Sequence, residues 1–386
     1  MTTPAARAAM LACAAALGSC SAFTTMYSTP GPKPDVHPLP VAGTDLFDWK
    51  GIIHCHSYLS HDSKGTIAEI AAACRRASVD FVAMTDHQTD ASIRDGQRGM
   101  VGDTLFMVGC EQRCPQGTIM AFPLTTPIKR WQHAGLLIKD TEAQGGVVFI
   151  CHAELWKTWD LTGLEGLTGV EIVNLHAGVM APNKIGTLLT GIFLPLRFLF
   201  ERICWRDTEV FRHWDQQLAA RHPFTPVGGD DAHANVHLFG PLGGTIGNYQ
   251  EVFLTLSTHV LAPRLTEADL VQALRQGRTY VSFDIFGEGA GFDFRAVGRD
   301  GVHVGGATVA AADDLRLCVH TPQPGCIQLW RDGAIVREAE DDSLEVRAPA
   351  PGVYRVEVRT RYGSPWLFSS SIKVTAATSG CGRGTR

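Results

Sequence analysis

Trp49-Lys50-Gly51-Ile52-Ile53-His54-Cys55-His56 is followed by Thr66-Ile67-Ala68-Glu69 and then by Phe81-Val82-Ala83-Met84. The first stretch reads as a β-strand. The second reads as a capping box, with Thr66 accepting from the first turn of a helix and Glu69 reaching back to the cap. Ile67, Ile70, Ala71 and Cys74 continue at helical spacing, and the third stretch is the next strand. Working outward, strand-like runs recur at Leu105–Val108, Thr118–Phe122, Val147–Ile150, Val170–Val173 and Phe224–Val227, with amphipathic stretches between them. That alternation is the signature of a β/α architecture.

The chain has 386 residues, 45% hydrophobic and 19% charged, with a net charge of -5. This is ordinary globular composition, enough for a larger domain and a smaller one. The acidic balance argues against an extended nucleic-acid-binding surface. Beyond Phe283 the texture changes to short strand-like pieces separated by turn signals. These include Cys326-Ile327-Gln328-Leu329-Trp330, the hairpin signal Asp332-Gly333, and Gly352-Val353-Tyr354-Arg355-Val356-Glu357-Val358.

At the N-terminus Arg7 precedes an apolar run from Ala8 to Leu17, too short to span a bilayer and shaped like a secretory h-region. Leu17-Gly18-Ser19-Cys20 resembles a lipobox, which predicts lipidation at Cys20 and a membrane-anchored lipoprotein facing the periplasm or cell exterior. The expected organisation is a signal peptide over 1–20, a flexible tether over 21–45, a catalytic domain over 46–288, a β-sandwich over 289–376 and a disordered tail over 377–386. The apolar run Ile185–Phe200 is interrupted by Pro195 and Arg197 and reads as a buried or surface-docked helix. The cysteine spacing gives no disulfide framework.

The chemistry sits where the strands end. In His54-Cys55-His56 a strand places both imidazoles on one face, a geometry that can hold one metal ion. Asp62 follows. The next strands end in Thr85-Asp86-His87, Gly109-Cys110-Glu111, Cys151-His152 and Gly228-Gly229-Asp230-Asp231-Ala232-His233. In a β/α barrel the C-terminal strand ends share one rim, so residues remote in sequence meet there.

In that order and spacing, His54-Cys55-His56-Ser57, Asp62, Thr85-Asp86-His87, Gly109-Cys110-Glu111, Cys151-His152 and Asp231-Ala232-His233 resemble the PHP (polymerase and histidinol phosphatase) superfamily. The resemblance implies a distorted (β/α)7 barrel followed here by a small all-β sandwich. It also implies two or three Zn, Mn or Fe ions held by His54, His56, Asp62, His87, Glu111, His152, Asp231 and His233. The segment Ala273–Val281 and the later Gly352-Val353-Tyr354-Arg355 resemble the branch containing carbaryl-type carbamate hydrolases. Two departures stand out: many members carry a His shortly after the Glu, where this chain begins a strand at Thr118, and the usual acidic residue before the first His is Ile53.

The implied function is a metal-dependent hydrolase of a small, phosphorylated substrate, a phosphoesterase using a hydroxide that bridges the divalent ions. The alternatives are a carbamate, ester or amide hydrolase and a non-catalytic metal-binding scaffold. Asp86 and His176 are expected as catalytic proton carriers, with His61 as a further candidate, and Lys64 and Arg113 as substrate-binding cations.

Overall fold

Ring strands form where β-branched and aromatic residues alternate, and helices where a cap precedes an apolar stripe. The computed structural model describes residues 37–180, 196–233, 236–237, 245–246 and 248–377. The expected signal peptide with Cys20, most of the tether, much of the 185–200 run and residues 378–386 of the tail lie outside these. The chain joins the sheet before the expected start at Leu46. Leu39–Pro40 pairs antiparallel with Phe47 and Asp48, and His37 Nε2 lies 2.6 Å from Asp80 Oδ1, so backbone pairing and a side-chain contact fasten a segment that composition alone reads as extended.

Helix α1 (Ile67–Ala77) carries the expected capping box, with Thr66 accepting from Glu69 N and Glu69 reaching back to the cap, and it ends on Ser78 in the left-handed region. Its buried stripe, Ile70 and Cys74 among it, packs on Ile52 and Val82 of the sheet. Strands β1 (Phe47–Cys55), β2 (Phe81–Met84) and β3 (Thr104–Val108) run parallel. Gly109 then leads directly into β4 (Cys110–Cys114), which turns back as a hairpin into β5 (Gly117–Phe122). Helix α2 (Ala134–Glu142) precedes β6 (Val147–Cys151), which is antiparallel to β5, and β7 (Gly169–Asn174) is parallel to β6. After α3 (Leu175–Met180) and α4 (Thr208–Ala220), β8 (Thr225–Gly229) lies parallel to β7.

These strands belong to two sheets that meet edge to edge at two isolated bridges, Cys55 with Ala232 and His87 with Glu111. They surround a core of Trp49, Ile53, Phe81, Met107, Met120, Phe122, Phe149 and Val227. Gly51 is needed here, because a Cβ would lie 1.9 Å from the Phe81 ring. Helix α5 (Glu267–Arg275) caps the same core at the start of β6, where Arg275 donates to Gly145 O and Gly146 O.

The molecule is therefore a mixed α/β protein rich in sheet, and a regular (β/α)7 barrel is not what it shows. Strand β5 runs against both neighbours, and a hairpin takes the place of a helical crossover between β4 and β5. Antiparallel strands need only a tight turn, whereas parallel ones need a crossover. Strand β9 (Ser257–Ala262) pairs with β1, β10 (Thr279–Ser282) with β9, and β11 (Pro365–Ser369) with β10. Through β11 the C-terminal strands share one hydrogen-bonded sheet with the ring. Their own core, including Phe294, Leu317, Ile327, Val356 and Trp366, is closed by the long hairpin Arg316–Arg331 and Ala334–Arg347. Asp332 and Gly333, both at positive φ, make its turn as the Asp-Gly signal predicts.

A buried polar clamp fastens α4 to these strands. Arg355 donates to both oxygens of Asp215 (2.6 and 2.8 Å) and to Glu357 (2.6 Å), and Arg206 adds a two-pronged contact to Glu357. Among the described residues no helix is long and apolar enough to cross a membrane.

Candidate metal centre

All eight residues carried by the sequence resemblance meet at one end of the ring. Glu111 sits at the middle, 5% exposed, and its two oxygens reach four imidazoles. Its Oε2 is 3.4 Å from His54 Nε2, 3.4 Å from His56 Nε2 and 3.5 Å from His87 Nδ1, and its Oε1 is 3.4 Å from His152 Nε2. Asp231 Oδ1 faces His54 Nε2 at 3.3 Å and His56 Nε2 at 3.6 Å, while Oδ2 faces His152 Nε2 at 3.7 Å. Asp62 Oδ2 lies 3.0 Å from His87 Nε2 and 3.2 Å from His233 Nε2. The His56 and His233 rings stack at 4.1 Å.

The ligating atoms fall into three overlapping groups whose members lie within 4.8 Å of one another. These are His56, Asp62, His87 and His233; His54, His152 and Asp231; and His54, His56 and Glu111. His56 Nε2 and Asp231 Oδ1 are buried and make no hydrogen bond among the described residues. Buried polar atoms normally have a partner, and a cation shared between these two would supply it. Imidazole and carboxylate donors together suit zinc, manganese or iron, so the residues fit divalent metal ions.

Electrostatics follow from crowding these groups out of water. Burial raises the Glu111 pKa, but hydrogen bonds from His152 and His54 and the charge of His54 outweigh it and hold the carboxyl well below its usual range. Burial acts the same way on Asp231, and the charges of His54, His152 and His56 bring it down to about 2. Burial lowers the His54 pKa, yet the charges of Asp231 and Glu171 override it and raise the value well above that of free imidazole. His152 rises to about 10, against burial, through hydrogen bonds to Glu111 and Glu154. Burial and the neighbouring His233 and His54 push His56 well below its ordinary value, leaving a neutral ring with a lone pair to donate.

Behind the ligands stands Glu171 of β7, which the sequence reading did not single out. Its Oε1 accepts from His54 Nδ1 at 2.7 Å, and its Oε2 accepts from His152 N at 2.7 Å and Asn174 Nδ2 at 3.0 Å. The available signal was a lone carboxylate in the apolar run Val170–Val173, since a buried charge must be paired. Ser60 was also missed: its hydroxyl donates to Asp62 Oδ1 at 2.7 Å and accepts from His87 N at 3.1 Å. Asp230 is buried beside Asp231, and burial and the charge of Asp284 raise its pKa well above the usual range.

The other expected site residues fall outside the three ligand groups. Asp86 accepts from Ser57 N (2.5 Å) and Ser57 Oγ (2.9 Å), so it fixes the turn after His56. His176 is exposed on α3, because that helix starts directly after Asn174 and turns the ring outward. Lys64 and Arg113 are exposed. His61 is also exposed, and its ring centroid lies 4.7 Å from that of His87.

The chain matches no protein-family model and no curated protein. Among solved structures it is similar to a two-domain protein from Bacteroides vulgatus ATCC 8482 containing a predicted PHP-like metal-dependent phosphoesterase. The identity is 14%, 88% of this chain and 100% of that one are covered, and the TM-score is 0.45. A protein of Bifidobacterium adolescentis ATCC 15703, described by assignment only as a metal-dependent phosphoesterase, matches at 16% identity over 53% of this chain and 95% of its own, with a TM-score of 0.31. The second Ig-C2 domain of human Fc-receptor like A covers 22% of this chain and 96% of its own, at 15% identity and a TM-score of 0.18. The first two are phosphoesterases by description, and neither is described as a carbamate hydrolase. None of these three reaches a TM-score of 0.5, and the chemistry rests on this chain's own side chains.

Proposed function

We propose that this protein is a metal-dependent phosphoesterase of the PHP type, with two or three zinc, manganese or iron ions held by the eight clustered residues. The observation that carries the reading is Glu111, one buried carboxylate in reach of four imidazoles from three different segments. A carboxylate so placed would serve, with Asp231 beside it, as a ligand to divalent ions held by those imidazoles. Divalent ions bound there would polarise a phosphoryl oxygen and lower the pKa of a bound water toward about 7.

The chain's residues supply the rest. The lowered pKa values of Glu111 and Asp231 keep both carboxylates charged at neutral pH, and His56 stays neutral with its lone pair available. Glu111, Asp231 and Asp62 ligate, and Glu171 stands behind His54. Two divalent ions balance those four negative charges, and three leave a surplus of positive charge that favours an anionic substrate with several oxygens to share. A phosphoryl group fits that description better than a neutral carbamate or amide. Asp86 is held by Ser57, so the proton for the leaving group falls to His61, exposed beside His87. Lys64 and Arg113 are exposed and would meet the substrate's outer part.

The test is metal quantification on the purified full chain, followed by turnover of p-nitrophenyl phosphate, bis-p-nitrophenyl phosphate and a 1-naphthyl carbamate. Phosphoester hydrolysis is expected, falling in Glu111→Gln by more than the roughly 10–100-fold that loss of an outer partner costs. Turnover of the carbamate alone, or full activity in Glu111→Gln, would sink the proposal.

A further inference from the structure

Non-glycine residues rarely adopt positive φ, and such strain survives only where the surroundings impose it. Here His54 (φ 69°), His152 (φ 47°) and Asp231 (φ 49°) all do. These three are also the members of one ligand group. Each stands at or just beyond the end of a strand, and β1 breaks register between Ile53 and Cys55 to place His54. The left-handed turn takes each side chain out of the strand's alternation and aims it at the others.

Glu171 fastens two of the three, accepting from the His54 ring and from the His152 backbone. The bond at His54 Nδ1 fixes the tautomer and leaves Nε2 facing Glu111 and Asp231. This group is enclosed, with side chains 0, 15 and 3% exposed for His54, His152 and Asp231. Asp62 and His87 are more open, at 30 and 24%, while His233, at 14%, is as enclosed as His152.

We infer that the centre loads its metal ions unequally. His54, His152 and Asp231, backed by Glu171, form a tight place that keeps its ion. Asp62, His87 and His233, with His56, form a weaker place that exchanges with the surroundings. Glu111 lies between the two. Activity is then set by the free divalent-metal concentration around the protein, a regulation that rests on the metal-centre reading above.

The experiment loads the full chain with Zn²⁺, dialyses it against a graded series of chelator concentrations, and counts bound zinc by plasma emission spectroscopy, with phosphoester turnover read in parallel. Release in two phases is expected, with activity lost in the first. Glu171→Gln should move only the tighter phase, by about 10–100-fold toward weaker binding. Asn174→Ala, which removes the 3.0 Å bond to Glu171 and the 2.9 Å bond that Asn174 accepts from Ala177 N in the first turn of α3, should move that phase less and in the same direction. It serves if Glu171→Gln does not fold. Asp62→Asn should move only the weaker phase. Release in a single phase, or a shift of the weaker phase in the Glu171 or Asn174 variant, overturns the inference while leaving the metal centre standing. Absence of zinc binding at any concentration overturns both.

Discussion

Replacing Gly229 by alanine adds one methyl group to a residue that ligates nothing, yet the structure predicts damage at the metal centre. A Cβ at this position would lie 1.5 Å from Glu171 Oε1 and 2.3 Å from its Cδ. Ordinary contact begins at 3.4 Å, so the carboxylate must retreat by about 1.9 Å. Its bonds to His54 Nδ1 and His152 N are both 2.7 Å long. Half that retreat carries either one to the limit of hydrogen bonding. Gly229 does not have positive φ, so alanine strains no backbone and the effect is the collision alone.

Each bond to the charged carboxylate contributes about 1.5–3 kcal/mol, and loss of both sets a ceiling of about 6 kcal/mol. Relaxation of the strand lowers this to an expected loss near 3 kcal/mol. Urea unfolding in the presence of chelator measures it, and chelator competition measures the accompanying fall in zinc affinity. Gly228→Ala is the control. Its Cβ would meet Val281 Cγ1 at 2.8 Å and Leu256 Cδ1 at 3.0 Å, which are ends of side chains able to shift. That overpacking is expected at the low end of about 1–3 kcal/mol, with zinc affinity unchanged. If Gly229→Ala binds zinc like the wild type and loses less than the control, Glu171 does not hold the ligands as argued.

The remaining expectations concern charge. Arg355→Met leaves the half-buried Asp215 without its guanidinium and Glu357 with Arg206 alone, and a loss at the low end of about 3–5 kcal/mol in thermal unfolding is expected with metal content unchanged. Raised pKa values at His54 and His152 mean that metal must displace protons near neutral pH. Titration calorimetry in buffers of different ionisation enthalpy should therefore show proton release, and no release would contradict the assignment. In the metal-free protein the His152 contribution to stability is complete below its ordinary value of 6.5 and is lost as pH rises through about 10. The Asp231 contribution is complete above 3.8 and is lost as pH falls through about 2, so urea midpoints should be highest between these limits.

Strand ends were legible because each ligand closes an apolar run, and runs that lie side by side bring their ends together. The α1 cap was legible because Thr66 and Glu69 make a local motif that needs no tertiary partner. The hairpin of β4 and β5 was not foreseen. Its turn, Pro115-Gln116, offers no strong signal, and β4 itself mixes charged and thiol side chains. The placement of His176 on a helix was hidden for a related reason: periodicity does not say whether the chain leaves a strand into a loop or into a helix, and here helix α3 begins at once. Glu171 needed the fold, since a carboxylate inside an apolar strand announces that a partner exists without saying which.

The positive φ values of His54, His152 and Asp231 have no local signature, and the topology explains those of His54 and Asp231, whereas His152 follows β6 inside one sheet. The ring of strands is stitched from two sheets, and its two seams, Cys55 with Ala232 and His87 with Glu111, fall beside the ligands. At the first seam one residue pair keeps ladder geometry, and bonds from His56 N to Ala232 O (3.0 Å), Ala232 N to His54 O (3.3 Å) and Asp230 N to Ile53 O (3.0 Å) fix the backbone around it, so His54 and Asp231 are released from extended geometry between anchored neighbours. Residues released in this way turn their side chains into the ring's mouth, where regular strands would send every second one outward. A fully regular barrel would satisfy its backbone better and present fewer ligands. The seams that depart from the (β/α)7 expectation are therefore the same places that assemble the metal centre, and its chemistry depends on the irregularity that sequence periodicity could not report.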